Sequence, residues 1–362
     1  MNESRAGRGA SVAIAGGGVI GTSIAWRLAQ RGFRVTLFEK GSLGGEASWA
    51  AAGMLALGGE VEAQSALMPM ASVSRELYPT FVSELEELSG LAIDYQECGA
   101  LDLAYSDDEW QALQARAAGQ AQIGIASDRL ETEDVSRFSP RIRREGLVGA
   151  LFYPLDAIVN AREMMVALAA ACKRSGVTVV QDCRVDNTDL SSREVIVTTR
   201  MGKQAFDSVV VAAGAWSDSI EVKGGPPLPR VEPVKGHLIG YQQPEHTCPT
   251  IVRRGHQYLL QRASGLLICG SSMERVGFDR QLDPEIVIWL SEGAAFLLPH
   301  LRQGMPAEIW TGFRPASDTV HIGCWGSGRL YLAYGHHRNG ILLAPVTAQR
   351  IADEISANLR MH

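Results

Sequence analysis

The stretch Ser11-Val12-Ala13-Ile14-Ala15-Gly16-Gly17-Gly18-Val19-Ile20-Gly21 runs a short apolar segment of buried-strand type straight into a glycine turn. Gly16, Gly18 and Gly21 fit the spacing G-x-G-x-x-G. Ile20, Ile24 and Leu28 then recur at every fourth residue, as a helix packed on a sheet requires. Gly32 ends that helix, Arg34-Val35-Thr36-Leu37-Phe38 reads as a second strand, and Glu39 closes it. Each part has a physical reason. The first glycine permits the tight turn, the second lets the backbone approach a pyrophosphate, and the third lets helix and strand lie close. The helix N-terminus, with Val19 and Ile20 in its first turn, offers free N–H groups and partial positive charge to phosphates. Glu39 would accept hydrogen bonds from ribose hydroxyls. Strand, turn, helix, strand and terminal acid together define a dinucleotide site, which NAD and FAD satisfy equally.

Working outward, the later glycine clusters Gly270-Ser271-Ser272 and Gly323-Cys324-Trp325-Gly326 open no helical pattern, so one bound dinucleotide is expected. The chain has 362 residues, a soft prior for two to three domains, and 46% hydrophobic residues, enough for a sizeable core. A net charge of −6 supplies no excess cation to neutralise a phosphate backbone, which argues against a nucleic-acid binder. No stretch approaches the roughly 20 apolar residues of a membrane span. The polar opening residues lack the apolar core of a secretory signal. Six scattered cysteines with no C-x-x-C pair read as reduced thiols of a cytoplasmic protein. No histidine pair has metal-ligand spacing, and no metal is expected.

Small residues dominate Gly44-Gly45-Glu46-Ala47-Ser48-Trp49-Ala50-Ala51-Ala52-Gly53-Met54-Leu55, where a backbone could lie close to a flat ligand; an alanine-rich helix start is the plainer alternative. Residues 64–88 read as helix interrupted near Pro69 and Pro79. A strand is expected over 99–105 and a helix over 107–118. Asn160 with Glu163 forms a capping box for a helix that Gly176 ends. The runs 177–180 and 209–214 read as strands buried on both faces. Shorter alternating runs fill 231–273, a helix starts at Asp283-Pro284, and the chain ends with a buried strand over 330–335 and a helix over 341–358. The expected fold class is therefore α/β: a doubly wound dinucleotide-binding domain interleaved with an antiparallel-sheet substrate domain. The first comprises residues 1–80, 140–216 and 312–362, the second 81–139 and 217–311.

With Gly16 to Gly21, Glu39 and Ala50-Ala51-Ala52-Gly53-Met54-Leu55 in place, three further motifs carry a resemblance. They are Pro233-Val234-Lys235-Gly236, Gly312-Phe313-Arg314-Pro315, and Gly335-His336-His337-Arg338-Asn339-Gly340-Ile341-Leu342-Leu343-Ala344-Pro345. Over nearly its full length the chain resembles the D-amino-acid oxidase/glycine oxidase family of FAD-dependent amine oxidases, bacterial glycine oxidases of thiamine biosynthesis above all. The resemblance selects FAD over NAD. It implies that Val19 and Ile20 lie at the pyrophosphate turn and Glu39 and Lys40 at the adenosine. Ala47, Ser48, Ala52, Gly53 and Met54 would flank pyrophosphate and flavin, and Val185 would meet the adenine side. His336, His337, Arg338, Asn339, Gly340, Ile341 and Leu342 would wrap the isoalloxazine. Arg314 matches the arginine that pairs with a substrate carboxylate and Tyr258 a tyrosine assisting it; Arg338 is a second candidate near substrate, and Met273 is expected on the pocket wall. A planar guanidinium fork suits a carboxylate. No dedicated acid or base is implied.

The chain departs from the family pattern at Asp318 to Gly323, where the expected loop is shorter, at His337, where an aromatic residue is usual, and at Ala47, which replaces a hydroxyl residue. Ala316 and Ser317 occupy the stretch where sarcosine oxidases place a flavin-linked cysteine, so FAD is expected to be non-covalent. The implied activity is oxidation of glycine, with sarcosine and small D-amino acids as further candidates, by hydride transfer to flavin N5. It would give glyoxylate or another α-keto acid, ammonia and, with O2, H2O2. Implied partners are a second copy of the chain and a thiazole synthase receiving the imine. The alternatives are a dehydrogenase of the same fold using another electron acceptor, and a non-catalytic flavin-binding subunit.

Overall fold

A computed structural model describes residues 9–60, 67–244, 246–326 and 328–360. The polar opening segment up to residue 8 and the first three residues of the helix expected from 64 lie outside them. The central strand, Ser11–Ala15, is buried along its whole length and pairs in parallel with Arg34–Phe38 on one side and Ser208–Val211 on the other. Thr178–Val180 extends the first side and Leu330–His336 the second, again in parallel. Strands added outward in both directions from the first are the doubly wound arrangement. Ser11–Ala15 and Ser208–Val211 are buried on both faces as expected, but Thr178–Val180 is not: it is the edge strand of the sheet, exposed at Thr178 and half-buried at Val179 and Val180.

Helices Val19–Gln30, Met68–Ser89, Ala161–Arg174 and Gly340–Arg360 share one core, in which Ile24, Leu28, Tyr78, Phe81, Leu168 and Ile351 pack together. The other face carries a four-stranded sheet in place of helices: Gly202–Phe206, Val195–Thr199, Val185–Asp189 and Glu221–Lys223. Its Val195, Val197 and Phe206 pack on Ala13, Val209 and Val211. The sequence reading placed no strand between 186 and 206.

Beyond Leu330–His336 the same sheet continues antiparallel through Glu308–Cys324, Glu232–Gln242, Leu266–Gly270 and Gln257–Gln261, so the alternating segment adds to the first sheet. Ile251–Arg254, Ala100–Ala104, Gly149–Tyr153 and Asp128–Leu130 complete its thirteen strands. Helix Pro284–Leu297 covers one face of this part with Leu290, Ala294 and Leu297. Val252 faces this helix, so Arg253 turns to the opposite face of the sheet, where it is held between the buried carboxylates Asp102 and Asp156.

Three local expectations are corrected. Pro69 does not interrupt the helix Met68–Ser89 but stands in its first turn, where a missing N–H is harmless, and Pro79 lies inside it without ending it. Burial of Tyr78, Phe81, Val82 and Leu85 offsets the lost bond, and the Tyr78 hydroxyl donates to Ile341 O (2.6 Å). The Asn160 side chain accepts from Arg162 N–H and Glu163 N–H, but Glu163 does not return to Asn160; its carboxylate accepts from Asp94 N–H (2.7 Å). Residues 318–323 are not a loop: they belong to Glu308–Cys324, with an irregularity between Ala316 and His321. Among the described residues no helix is long and apolar enough to cross a membrane.

Candidate functional site

One cleft gathers most of the residues singled out from the sequence. Gly16, Gly18, Val19 and Ile20 line it, with Glu39, Lys40 and Val185. So do Ala47, Ser48, Ala52, Gly53 and Met54, together with His336, His337, Arg338, Gly340 and Ile341. Tyr258 and Arg314 line the same cleft. Gly21, Asn339, Leu342 and Met273 do not. Gly21 serves packing, since a Cβ there would lie 1.9 Å from Gly16 O. Leu342 is buried in the main core and its carbonyl takes the Ser74 hydroxyl. Asn339 ends the short helical turn His337–Asn339, and Met273 is 55% exposed.

At the glycine turn the backbone requires what the sequence supplies. Gly16 has φ +112°, and a Cβ there would meet Ala212 O at 2.3 Å. The Glu39 carboxylate is buried and already oriented, with one oxygen accepting from Gly17 N–H (2.7 Å) and the other from Gly41 N–H (2.9 Å). A carboxylate has about four acceptor positions, so two stay available to a ribose. Val19 N–H, in the first turn of its helix, donates to Ser48 Oγ (2.9 Å), which ties the helix start to the small-residue segment. Lys40 Nζ stands 3.1 Å above the Trp216 ring and 3.0 Å from Glu46, whose two oxygens also receive Arg280.

The segment after Glu46 is a short helix, Ala47–Ala50, that opens into extended chain, so both readings of these small residues hold in part. Three side chains distant in sequence donate to three successive carbonyls there: Arg162 to Trp49 O, Trp310 to Ala50 O and Arg262 to Ala51 O. Gly53 follows with φ +97°.

Arg314, on Glu308–Cys324, lies over Gly236 of the neighbouring strand; a Cβ at Gly236 would come within 2.3 Å of its guanidinium nitrogens. Nη1 donates to Ser272 O (3.0 Å) and Nη2 to Ser271 Oγ (2.9 Å). Tyr258 is buried, with its hydroxyl beside Gly270, where a Cβ would meet it at 2.4 Å. The sequence reading did not assign Ser271, Gly236 or Trp216 to the site, although all three line the cleft. The signals were present in Pro233 to Gly236 and in the Gly270-Ser271-Ser272 cluster.

His336 is buried and its Nε2 meets Thr347 Oγ1 at 3.1 Å. Burial, with a smaller contribution from His321, pushes its pKa down to about 3, so it is neutral at physiological pH. The unfolded chain takes up this proton first as pH falls below 6.5, so the stability it confers is complete above that value and is lost progressively towards pH 3. His336→Gln is expected to flatten the acid limb of stability between these values. Urea midpoints measured across that range check this, and equal slopes for both proteins would refute it.

The cradle fits a dinucleotide: glycines stand where side chains would collide, a helix N-terminus is present, and a carboxylate is oriented beside it. The fold and the cleft thus define a dinucleotide-binding protein of the doubly wound class. The chain belongs to the family described as FAD dependent oxidoreductase, which matches residues 11–354. It is therefore FAD-dependent. It is 35% identical to the glycine oxidase of Geobacillus kaustophilus over 94% of this chain and 92% of that protein. It is 34% identical to the bifunctional protein ThiO/ThiG of Trichormus variabilis, spanning 95% of this chain and 52% of that longer protein. The crystal structure of the Geobacillus kaustophilus glycine oxidase superposes with a TM-score of 0.90 at 33% identity, covering 96% of this chain and 95% of that one.

Proposed function

We propose that this chain is an amino-acid oxidase that converts glycine, and with it sarcosine and small D-amino acids, to the imine, which water hydrolyses to glyoxylate (or the matching α-keto acid) and ammonia, or methylamine from sarcosine. The observation that carries the reading is Arg314, a half-buried guanidinium in the FAD cleft whose two terminal nitrogens are anchored by Ser272 O and Ser271 Oγ. A guanidinium is a planar, permanently charged fork whose geometry suits a carboxylate. When bound, FAD supplies the two-electron acceptor for the α-C–H bond and passes the electrons to O2, giving H2O2.

In this reading Arg314 and Tyr258 hold the carboxylate and so aim the α-carbon, and orientation is a large share of such catalysis. Glycine enters with a neutral amine, and the chain contributes no general base. Glu39 holds the ribose, the helix start at Val19 and Ile20 the pyrophosphate, and the segment 336–341 the flavin ring, without a covalent link. The dinucleotide part comprises residues 1–80, 140–216 and 312–362 and the substrate part the remainder. Likeness to a ThiO/ThiG protein supports a role in which a thiazole synthase takes the imine, and the free cysteines suit a cytoplasmic setting.

The test mixes the purified holoenzyme with glycine under anaerobic conditions and follows the flavin band before admitting air. Bleaching, then recovery with one H2O2 per glycine consumed, is expected. Bleaching without prompt peroxide would point to a different electron acceptor. A flavin that none of glycine, sarcosine, D-alanine or D-proline reduces would overturn the proposal.

A further inference from the structure

We propose that His237, acting through Glu274 and Ser272, sets the orientation of Arg314 and with it the affinity for the substrate carboxylate; the role rests on the reading of Arg314 given above. His237 lies on Glu232–Gln242 and is fully buried. Its Nε2 is 2.9 Å from Asp283 N–H, a group that can only donate. Nε2 is therefore the acceptor, and the ring proton sits on Nδ1, 2.8 Å from Glu274 Oε1. The same carboxylate oxygen takes the Ser272 hydroxyl, and that hydroxyl oxygen accepts from His237 N–H at 2.8 Å.

Ser272 is thereby fixed through its side chain, which leaves its carbonyl aimed at Arg314 Nη1. The preceding residue supplies the hydroxyl that takes Nη2. Lys235, two residues before His237 and on the same face of the strand, exchanges backbone bonds of 2.9 Å with Glu274 and donates from Nζ to Gln281 O (2.6 Å). Segment 271–283 is thus docked on the strand by Lys235 and His237, while Gly236 between them provides the flat surface under the guanidinium. A histidine whose only work was to fill the core would not need two directional bonds to a segment that ends on the arginine. His237 is a positioning residue: it touches Arg314 only through Ser272.

The test titrates holoenzyme with glycolate, which offers a carboxylate without an amine, and follows the flavin band. His237→Leu and Glu274→Ala are expected to weaken glycolate by about tenfold, the effect of misaligning charge-assisted bonds without deleting them. His237→Asn, whose amide can replace Nδ1 towards Glu274, is expected to recover to within about threefold. FAD affinity of the apo-protein should stay within about twofold throughout, and the limiting rate of anaerobic flavin reduction by glycine should change less than the affinity. Glycolate affinity within about twofold of the parent in His237→Leu would overturn the proposal. If that variant fails to fold, Glu274→Ala, at a partly exposed position, decides on the same criterion. Arg314→Ala run in parallel separates the two readings. If it too leaves glycolate affinity unchanged, the carboxylate clamp itself falls and the role of His237 with it.

Discussion

Arg314→Ala is expected to raise the Michaelis constant for glycine by about 100- to 1,000-fold while FAD stays bound. Hydrogen bonds to charged groups contribute about 1.5–3 kcal/mol each, and a two-pronged guanidinium–carboxylate pair forfeits two of them, or about 3–4 kcal/mol at the lower end. The lost side chain leaves Ser272 O and Ser271 Oγ at the cleft, where water can take its place, so the fold should tolerate the change. Lysine is not a conservative replacement: an ammonium keeps the charge but cannot present a planar fork or lie flat on Gly236. Arg314→Lys should therefore recover no more than about tenfold of the loss. Steady-state kinetics alongside the flavin spectrum check this. An unchanged Michaelis constant in an Arg314→Ala enzyme with its full complement of bound FAD would remove the arginine from the substrate site.

The second large effect is structural and falls on Gly53. Its φ is +97°, and a Cβ there would stand 1.8 Å from Val159 O, with the carbonyl carbon at 3.0 Å. Neither group is a flexible side-chain end, and Gly53 O already accepts from Val159 N–H (2.8 Å), so the two backbones cannot separate without breaking that bond. Gly53→Ala is expected to destabilise the protein by about 3 kcal/mol or more and to lower the bound FAD, because Ala52, Gly53 and Met54 form part of the cleft wall. Gly32→Ala is the control. Gly32 also has a positive φ, +84°, but nothing lies within 4 Å, so only the backbone strain of about 1 kcal/mol remains. Thermal melts and flavin content of both variants test the contrast, and a Gly53→Ala protein that melts with the parent would refute the close-approach argument.

The contrast also explains which parts of the molecule could be read from sequence. Ser11 to Glu39 was legible because the parts of the glycine turn lie within thirty residues and each has its own spacing rule. The four-stranded sheet around 185–206 was legible only in part: Val195-Ile196-Val197-Thr198-Thr199 is a β-branched run that signals a strand the sequence reading did not place, whereas its partner Gly202–Phe206 is Gly-Lys-Gln-Ala-Phe, exposed at four of five positions, with no apolar run to announce it. Pro79 looked like a helix breaker because the packing of Tyr78 and Phe81 that outweighs it comes from other helices. Arg314 could be singled out by its motif, yet its anchors Ser271 and Ser272 lie more than forty residues earlier, and His237 reaches it through a second residue again. Such relations depend on the register between Glu232–Gln242 and Glu308–Cys324, which no local pattern encodes.

The three donors on Trp49 O, Ala50 O and Ala51 O have a kinetic consequence. They reach back across 113, 260 and 211 residues respectively. Closing loops of that length consumes chain entropy before any of the three bonds can form, which puts the settling of this segment late in folding. The glycine turn and its helix, built from neighbours in sequence, can assemble early. With FAD seated in the cleft as proposed, the nascent chain would present its phosphate-binding end before the wall for the flavin, and the cofactor would be held fully only once the C-terminal third has been made.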